Sequence, residues 1–225
     1  MTYPKILSTN QSLFLEYLLE YNKKGQIQLP SIKNISKELG LSIPLVREQI
    51  ELAKTLGLIE IKPRKGISLL PYKFSPAVTK SVYFAVLSKK HRFQQFSDLR
   101  NQLEKAYFLH AASTLNETDI KSLKLIVEIA KDKIHLPHAQ IPHVEHRKFH
   151  LEIYKHIDNV FLTGILESYW DLYELVGMDL YNDLEYLDAV WDYHQKITEL
   201  IEANDYTKAF ILLDEHMNFI NKRSD

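Results

Sequence analysis

Apolar positions recur with helical spacing along most of this chain, and only one short stretch alternates as a strand does. The first periodic run, Ser12 to Tyr21, sets Leu13, Phe14, Tyr17, Leu18 and Tyr21 on one face. Asn22 to Gly25 interrupts it. Leu29-Pro30-Ser31 opens a second helix, with Ser31 as N-cap and Ile32, Ile35 and Leu39 facing inward, and Gly40 stops it. After Leu41, Ser42 caps a third helix that reaches Leu56. Leu58 to Lys62 then alternates, Pro63-Arg64-Lys65-Gly66 turns, and Ile67 to Leu70 returns as a strand. Helix, tight turn, helix and basic hairpin, in that order, predict a winged helix-turn-helix over residues 1–71.

Residues 72–77 read as a linker. Beyond them the pattern predicts an all-helical bundle over 78–225, with segments near 78–89, 96–113, 117–133, 143–157, 160–180, 184–203 and 206–221. Leu136 to Pro142, with two prolines, is the expected loop. The fold class is therefore mainly α, a winged helix followed by a helical bundle.

Composition narrows the class. The 225 residues suffice for two modest cores, and 45% hydrophobic with 25% charged residues is ordinary for a soluble protein. Cysteine is absent, which excludes a disulfide framework, a thiolate zinc site and a cysteine nucleophile. No apolar run approaches the ~20 residues that cross a bilayer, and the first ten residues lack a signal-peptide core. A cytoplasmic protein with no membrane association is expected. The net charge of −1 hides an asymmetry: residues 1–71 hold ten Lys/Arg against six Asp/Glu, and the remainder is acidic. A basic first third suits a module that meets nucleic acid.

In a winged helix the third helix enters the major groove by its N-terminal end. That assigns Ser42, Ile43, Pro44 and Arg47 to the DNA-facing tip, Arg47 having the forked donors that match a guanine edge or a phosphate. Lys33, Lys62, Arg64, Lys65 and Gly66 complete the candidate surface as backbone contacts.

Ten histidines invite a second reading. His146 and His150 are one helical turn apart and share a face. His194 and His216 each lie eleven residues from Asp205, in the turn between the last two helices. If those helices pack antiparallel, both imidazoles stand at the same height, roughly 16 Å from the turn at 1.5 Å per residue. Three or four neutral imidazoles suit Zn²⁺ or Ni²⁺ and not Ca²⁺ or Mg²⁺. His91, His110, His135, His138, His143 and His156 have no such arrangement and read as surface or satisfied core groups.

Two family resemblances bear on this. Leu29-Pro30-Ser31, Leu39-Gly40-Leu41-Ser42, Val46-Arg47-Glu48, Leu52, Gly57-Leu58-Ile59 and Lys65-Gly66 resemble the DNA-binding domain of GntR regulators, which usually carry an arginine where this chain has Ile43. Residues 96–220 are similar to the FCD ligand-binding domain of the FadR subgroup. The matching stretches run from Asp98-Leu99-Arg100 to Leu103-Glu104, then Phe149-His150, Asp158-Asn159, His194 with Ile197 and Ile201, and Asn204-Asp205 through Ala209 and Leu213 to His216. The resemblance implies a metal held by His150, His194 and His216, with His146 standing where the family has an aspartate. It also implies a small carboxylate effector, for which Arg100 is the candidate partner, and a homodimer that reads two DNA half-sites.

The expectation is a one-component transcription regulator, repressor or activator, that binds an operator, a divalent transition metal and a small carboxylate. Trp170, Tyr173, Tyr181 and Trp191 are candidates to line the effector cavity. Two other classes stay open at this point: a metal-dependent enzyme built on the histidines, and a winged-helix adaptor that binds protein instead of DNA.

Overall fold

The computed structural model describes residues 9–138, 140–176 and 184–221. The chain divides into two compact units, Met1–Ala77 and Val78–Asp225.

In the first unit α1 (Thr9–Lys23), α2 (Ile32–Leu39) and α3 (Ile43–Thr55) pack on a small sheet of β1 (Gln28–Leu29), β2 (Ile59–Lys62) and β3 (Gly66–Leu69). Local chemistry sets the helix ends. The Ser31 hydroxyl accepts from the Asn34 amide at 3.3 Å, and Gly40 closes α2 at φ 65°. The Ser42 hydroxyl then accepts from the Leu45 amide at 3.4 Å. Phe14, Leu18, Ile35, Val46, Ile50 and Ile59 fill the core, one apolar stripe from each element.

The strand order is β1-β3-β2, antiparallel throughout. β1 has no counterpart in the sequence pattern, since two residues are too few to alternate. Its Gln28 does more than pair. The side-chain amide donates to the carbonyls of Lys65 at 2.8 Å and Ile67 at 2.9 Å, and its oxygen accepts from Ser68 at 3.2 Å. One side chain thus pins the outgoing arm of the β2–β3 hairpin.

The second unit is all helix among its described residues. α4 (Ser75–Ser88) starts inside the stretch expected as linker, because Pro76 in its first turn has no amide that needs a partner. α5 (Arg92–Ser113), α6 (Glu117–Ile134), α7 (His143–Ile153), α8 (Val160–Val176), α9 (Leu184–Glu202) and α10 (Tyr206–Asn221) follow. α7 stops four residues before its expected end. The Asn159 side chain accepts from the amides of Phe161 and Leu162, so the chain turns there and restarts as α8. The expected end of α8 near 180 lies outside the described residues. α9 packs between α10 and α6, α7 between α6 and α8, and α5 reaches α7, α8 and α10. Among the described residues no helix is long and apolar enough to cross a membrane.

Asn116 and Asp119 form a reciprocal capping box at the start of α6. The same carboxylate takes His156 at 2.7 Å and Lys155 at 2.5 Å, tying α6 to the turn after α7.

Gly57 follows α3 at φ +73°, and a Cβ there would lie 2.6 Å from the Pro76 ring. Gly25 has φ +67° with open space around it. Gly25→Ala should therefore cost about 1 kcal/mol, the left-handed penalty alone. Gly57→Ala should cost clearly more, because the proline ring must also move. Denaturant midpoints of the two variants, followed by circular dichroism, check the difference. Equal losses would show that the Pro76 contact carries no weight.

Candidate metal centre

His146 and His150 stand on one face of α7, His194 projects from α9 and His216 from α10. Each offers a ligating nitrogen, and all four nitrogens lie within 4.8 Å of one another. The side chains are buried. The rings of His194 and His216 have centroids 4.4 Å apart, as the equal distances from Asp205 require of an antiparallel α9–α10 hairpin. His150 Nε2 and His194 Nε2 are 3.3 Å apart. Two nitrogens ~2.0–2.1 Å from one tetrahedral ion would be about 3.3–3.4 Å apart.

The cluster is costly as it stands. His146 Nε2, His194 Nδ1 and both nitrogens of His216 are buried without a hydrogen-bond partner, and each such atom costs about 1–3 kcal/mol. Burial pushes all four imidazoles well below their usual pKa of 6.5, and their proximity to one another and to Arg100 adds to the effect. They are neutral, with lone pairs free, which is the form that ligates a metal. The donor set fits a borderline transition ion, and one shared cation would take one nitrogen from each ring.

Behind this group lies an ion pair that sequence reading placed only in part. Arg100, 3% exposed, donates from Nε to Glu104 at 2.7 Å and from Nη1 to Asn101 at 3.0 Å. Its guanidinium lies 4.9 Å from the Tyr169 ring centre and 4.8 Å from that of Trp170, close enough for cation–π attraction. The other Glu104 oxygen is 2.9 Å from His150 Nδ1. Burial lifts the Glu104 carboxyl to about 7, with Arg100 pulling against it. When ionised, the carboxylate accepts the His150 Nδ1 proton and leaves the Nε2 lone pair facing the other histidines. Glu104 was not among the expected site residues. It lay in a stretch that resembles the FCD domain, and its spacing from Arg100 is the same as in any surface pair.

Arg100 and His146 line one small cavity with Asn101, Tyr169, Trp170 and Tyr173, of about 10 Å³. That is room for about one water molecule. His146 also lines a second space of similar size beside His143, Tyr173 and Trp191. Of the aromatic candidates, Trp170, Tyr173 and Trp191 pack around His146, and Tyr181 lies outside the described residues. Glu145, next to His146, points away and takes Lys133 at 2.9 Å. His135 and His156 pair instead with Asp188 and Asp119.

In the first unit, Lys33, Ser42, Ile43, Pro44, Arg47, Lys62, Arg64, Lys65 and Gly66 are all exposed. Lys62 is paired with Glu60 at 2.7 Å. Arg64, at the hairpin tip, holds φ 64°, a left-handed conformation that costs a non-glycine residue about 1–2 kcal/mol.

Residues 95–219 match the FCD domain family. The chain is 22% identical over 219 residues to "Uncharacterized HTH-type transcriptional regulator YcbG" of Bacillus subtilis (strain 168), spanning 93% of this chain and 87% of that protein. It is 22% identical over 211 residues to "HTH-type transcriptional regulator LutR" of the same organism, spanning 87% and 92%. The solved structure titled "Streptococcus agalactiae GntR" superposes with a TM-score of 0.69 at 16% identity, covering 95% of this chain and 97% of that one, and shares its fold.

The depressed imidazoles link stability to pH. Below about pH 6.5 the unfolded chain protonates these histidines and the folded chain does not, so stability is lost as pH falls. Glu104 acts oppositely, with the folded state keeping one proton up to about 7, but it is one group against four. Trp170 and Trp191, the two tryptophans of the chain, both report from this cluster. In chelator-treated protein, the urea midpoint of tryptophan fluorescence should drop between about pH 7.5 and 5.5, with net uptake of more than one proton. A flat profile would rule out four neutral buried imidazoles.

Proposed function

The chain belongs to the FCD-domain regulators of the GntR family, and from that premise we propose a DNA-binding regulator whose helical unit holds a divalent transition metal and a small carboxylate effector. The observation that carries the metal is the convergence of four buried imidazoles, three of them with unpartnered nitrogens. His146, His150, His194 and His216 would hold the ion, Zn²⁺ or Ni²⁺ by donor type. When bound, the ion supplies a positive centre that attracts a carboxylate oxygen.

The chain's own residues do the rest. Glu104 fixes the tautomer and ring orientation of His150, as carboxylates behind metal-bound histidines do. Arg100 lines the cavity it shares with His146 and keeps its Nη2 without a partner, and would take a second effector oxygen. A cavity of about 10 Å³ is too small for a carboxylate, so Trp170, Tyr173 or their neighbours must shift to admit one. That shift gives the effector different affinities for two conformations, without which it could not alter DNA binding. The protein would act in the cytoplasm as a homodimer, each first unit meeting one half-site.

The relatives are named as transcription regulators, which supports regulation over turnover. Glu104, the carboxyl beside the ligands, is engaged by Arg100 and His150 and so is poorly placed to act as a general base.

Elemental analysis of purified, untagged protein tests the metal. About one transition-metal ion per chain is expected, absent from a His150→Ala/His194→Ala/His216→Ala variant. Wild-type protein that stays metal-free after Zn²⁺ or Ni²⁺ is added and dialysed away would refute the metal reading. Glu104→Gln should weaken metal affinity about 10- to 100-fold, with circular dichroism checking that the destabilised variant is still folded.

DNA binding is tested by its salt dependence. Lys65→Ala should reduce the slope of log affinity against log salt by about 0.9, the release of one counterion. An affinity that ignores salt would point to the adaptor reading.

A further inference from the structure

We propose that Ile43 reads the 5-methyl group of a thymine in the major groove and, with Arg47, sets the base preference of each half-site. The inference rests on the DNA-binding reading above.

Ile43 is the first residue of α3 and is 39% exposed. Neither it nor Pro44 belongs to the core of the first unit or to the partly buried residues packed on that core. A β-branched residue in an exposed turn adds little to helix propensity. Here it lies outside the apolar core. The hydroxyl that might have served the tip, on Ser42, is turned back to cap the Leu45 amide. Pro44 brings no N–H. The end of the helix that lies nearest base edges in a winged helix therefore presents an apolar surface with few donors.

Only one feature of the major groove matches such a surface. Guanine, cytosine and adenine show donors and acceptors there, and thymine adds a methyl group. Pressing Ile43 against a polar edge would strip that edge of water without replacing the bond. Against a methyl, both partners lose apolar area to water. Arg47 is exposed four residues later on the same helical face, and its fork fits guanine O6 and N7. Four residues rise about 6 Å along the helix, against about 3.4 Å per base step. The thymine and the guanine therefore fall one or two base pairs apart.

The test uses the full-length protein. Sites are first selected from a random duplex library, and each thymine of the selected half-site is then replaced singly by deoxyuridine, which lacks only the methyl. At one position wild-type affinity should fall about fourfold, the worth of one buried methyl. Ile43→Ala should bind the two duplexes equally, and Ile43→Val should keep part of the preference. Circular dichroism checks that both variants fold. Arg47→Ala should separately relax the choice of guanine. An enriched sequence with no effect of methyl removal overturns this inference and leaves DNA binding intact. A methyl effect that persists in Ile43→Ala also overturns it. A selection that enriches no sequence overturns both readings.

Discussion

Four imidazoles and an ion pair are buried together, and the helical unit is built around holding that arrangement. Arg100 and Glu104 cannot be separated without leaving an uncompensated charge in the interior, a loss of about 3–5 kcal/mol. Glu104 in turn fixes His150, and His150 stands 3.3 Å from His194. The guanidinium lies against the Tyr169 and Trp170 rings of α8. Five helices (α5, α7, α8, α9 and α10) are thus committed to one constellation, and none can slide without disturbing groups on the others. The same coupling means that a displacement of any one of the histidines reaches the packing of all five helices.

The two units rely on different physics. The first is stabilised locally, by serine and glycine caps and an apolar core, and keeps its charges on the outside. Local rules are broken at two places, the β-branched apolar tip of α3 and the left-handed Arg64 at the hairpin turn. Such violations persist where function repays them, and both fall on the surface assigned to DNA. The second unit breaks the rules inside, by burying polar groups that its own side chains do not satisfy.

Much of this was legible before any coordinates. Among the described residues, helical periodicity located the helices of the second unit to within about four residues, because each buries an apolar stripe. The equal distances of His194 and His216 from Asp205 also anticipated their meeting, since an antiparallel hairpin converts sequence symmetry into spatial proximity. β1 escaped because two residues carry no period and its pairing partner lies 40 positions away, Gln28 opposite Ser68. Glu104 escaped for a different reason. An arginine and a glutamate four apart look the same on a wet surface as in a dry core, and only the packing of α8 and α10 over α5 decides between them. α4 starts three residues before the apolar pattern placed it, since a proline in a first turn is tolerated and apolar spacing does not mark that turn.

The α9–α10 hairpin has a consequence for how such a chain can change over generations. One residue inserted between His194 and Asp205 would turn the His194 side chain by about 100° and shift it about 1.5 Å, out of reach of the other three. A matching insertion in the second arm would restore the level but not the facing. The count of residues on either side of the turn is therefore held fixed, and the turn itself keeps Asn204 at φ 58°, a conformation that favours asparagine or glycine. Heredity must preserve length here as much as the identity of the ligands.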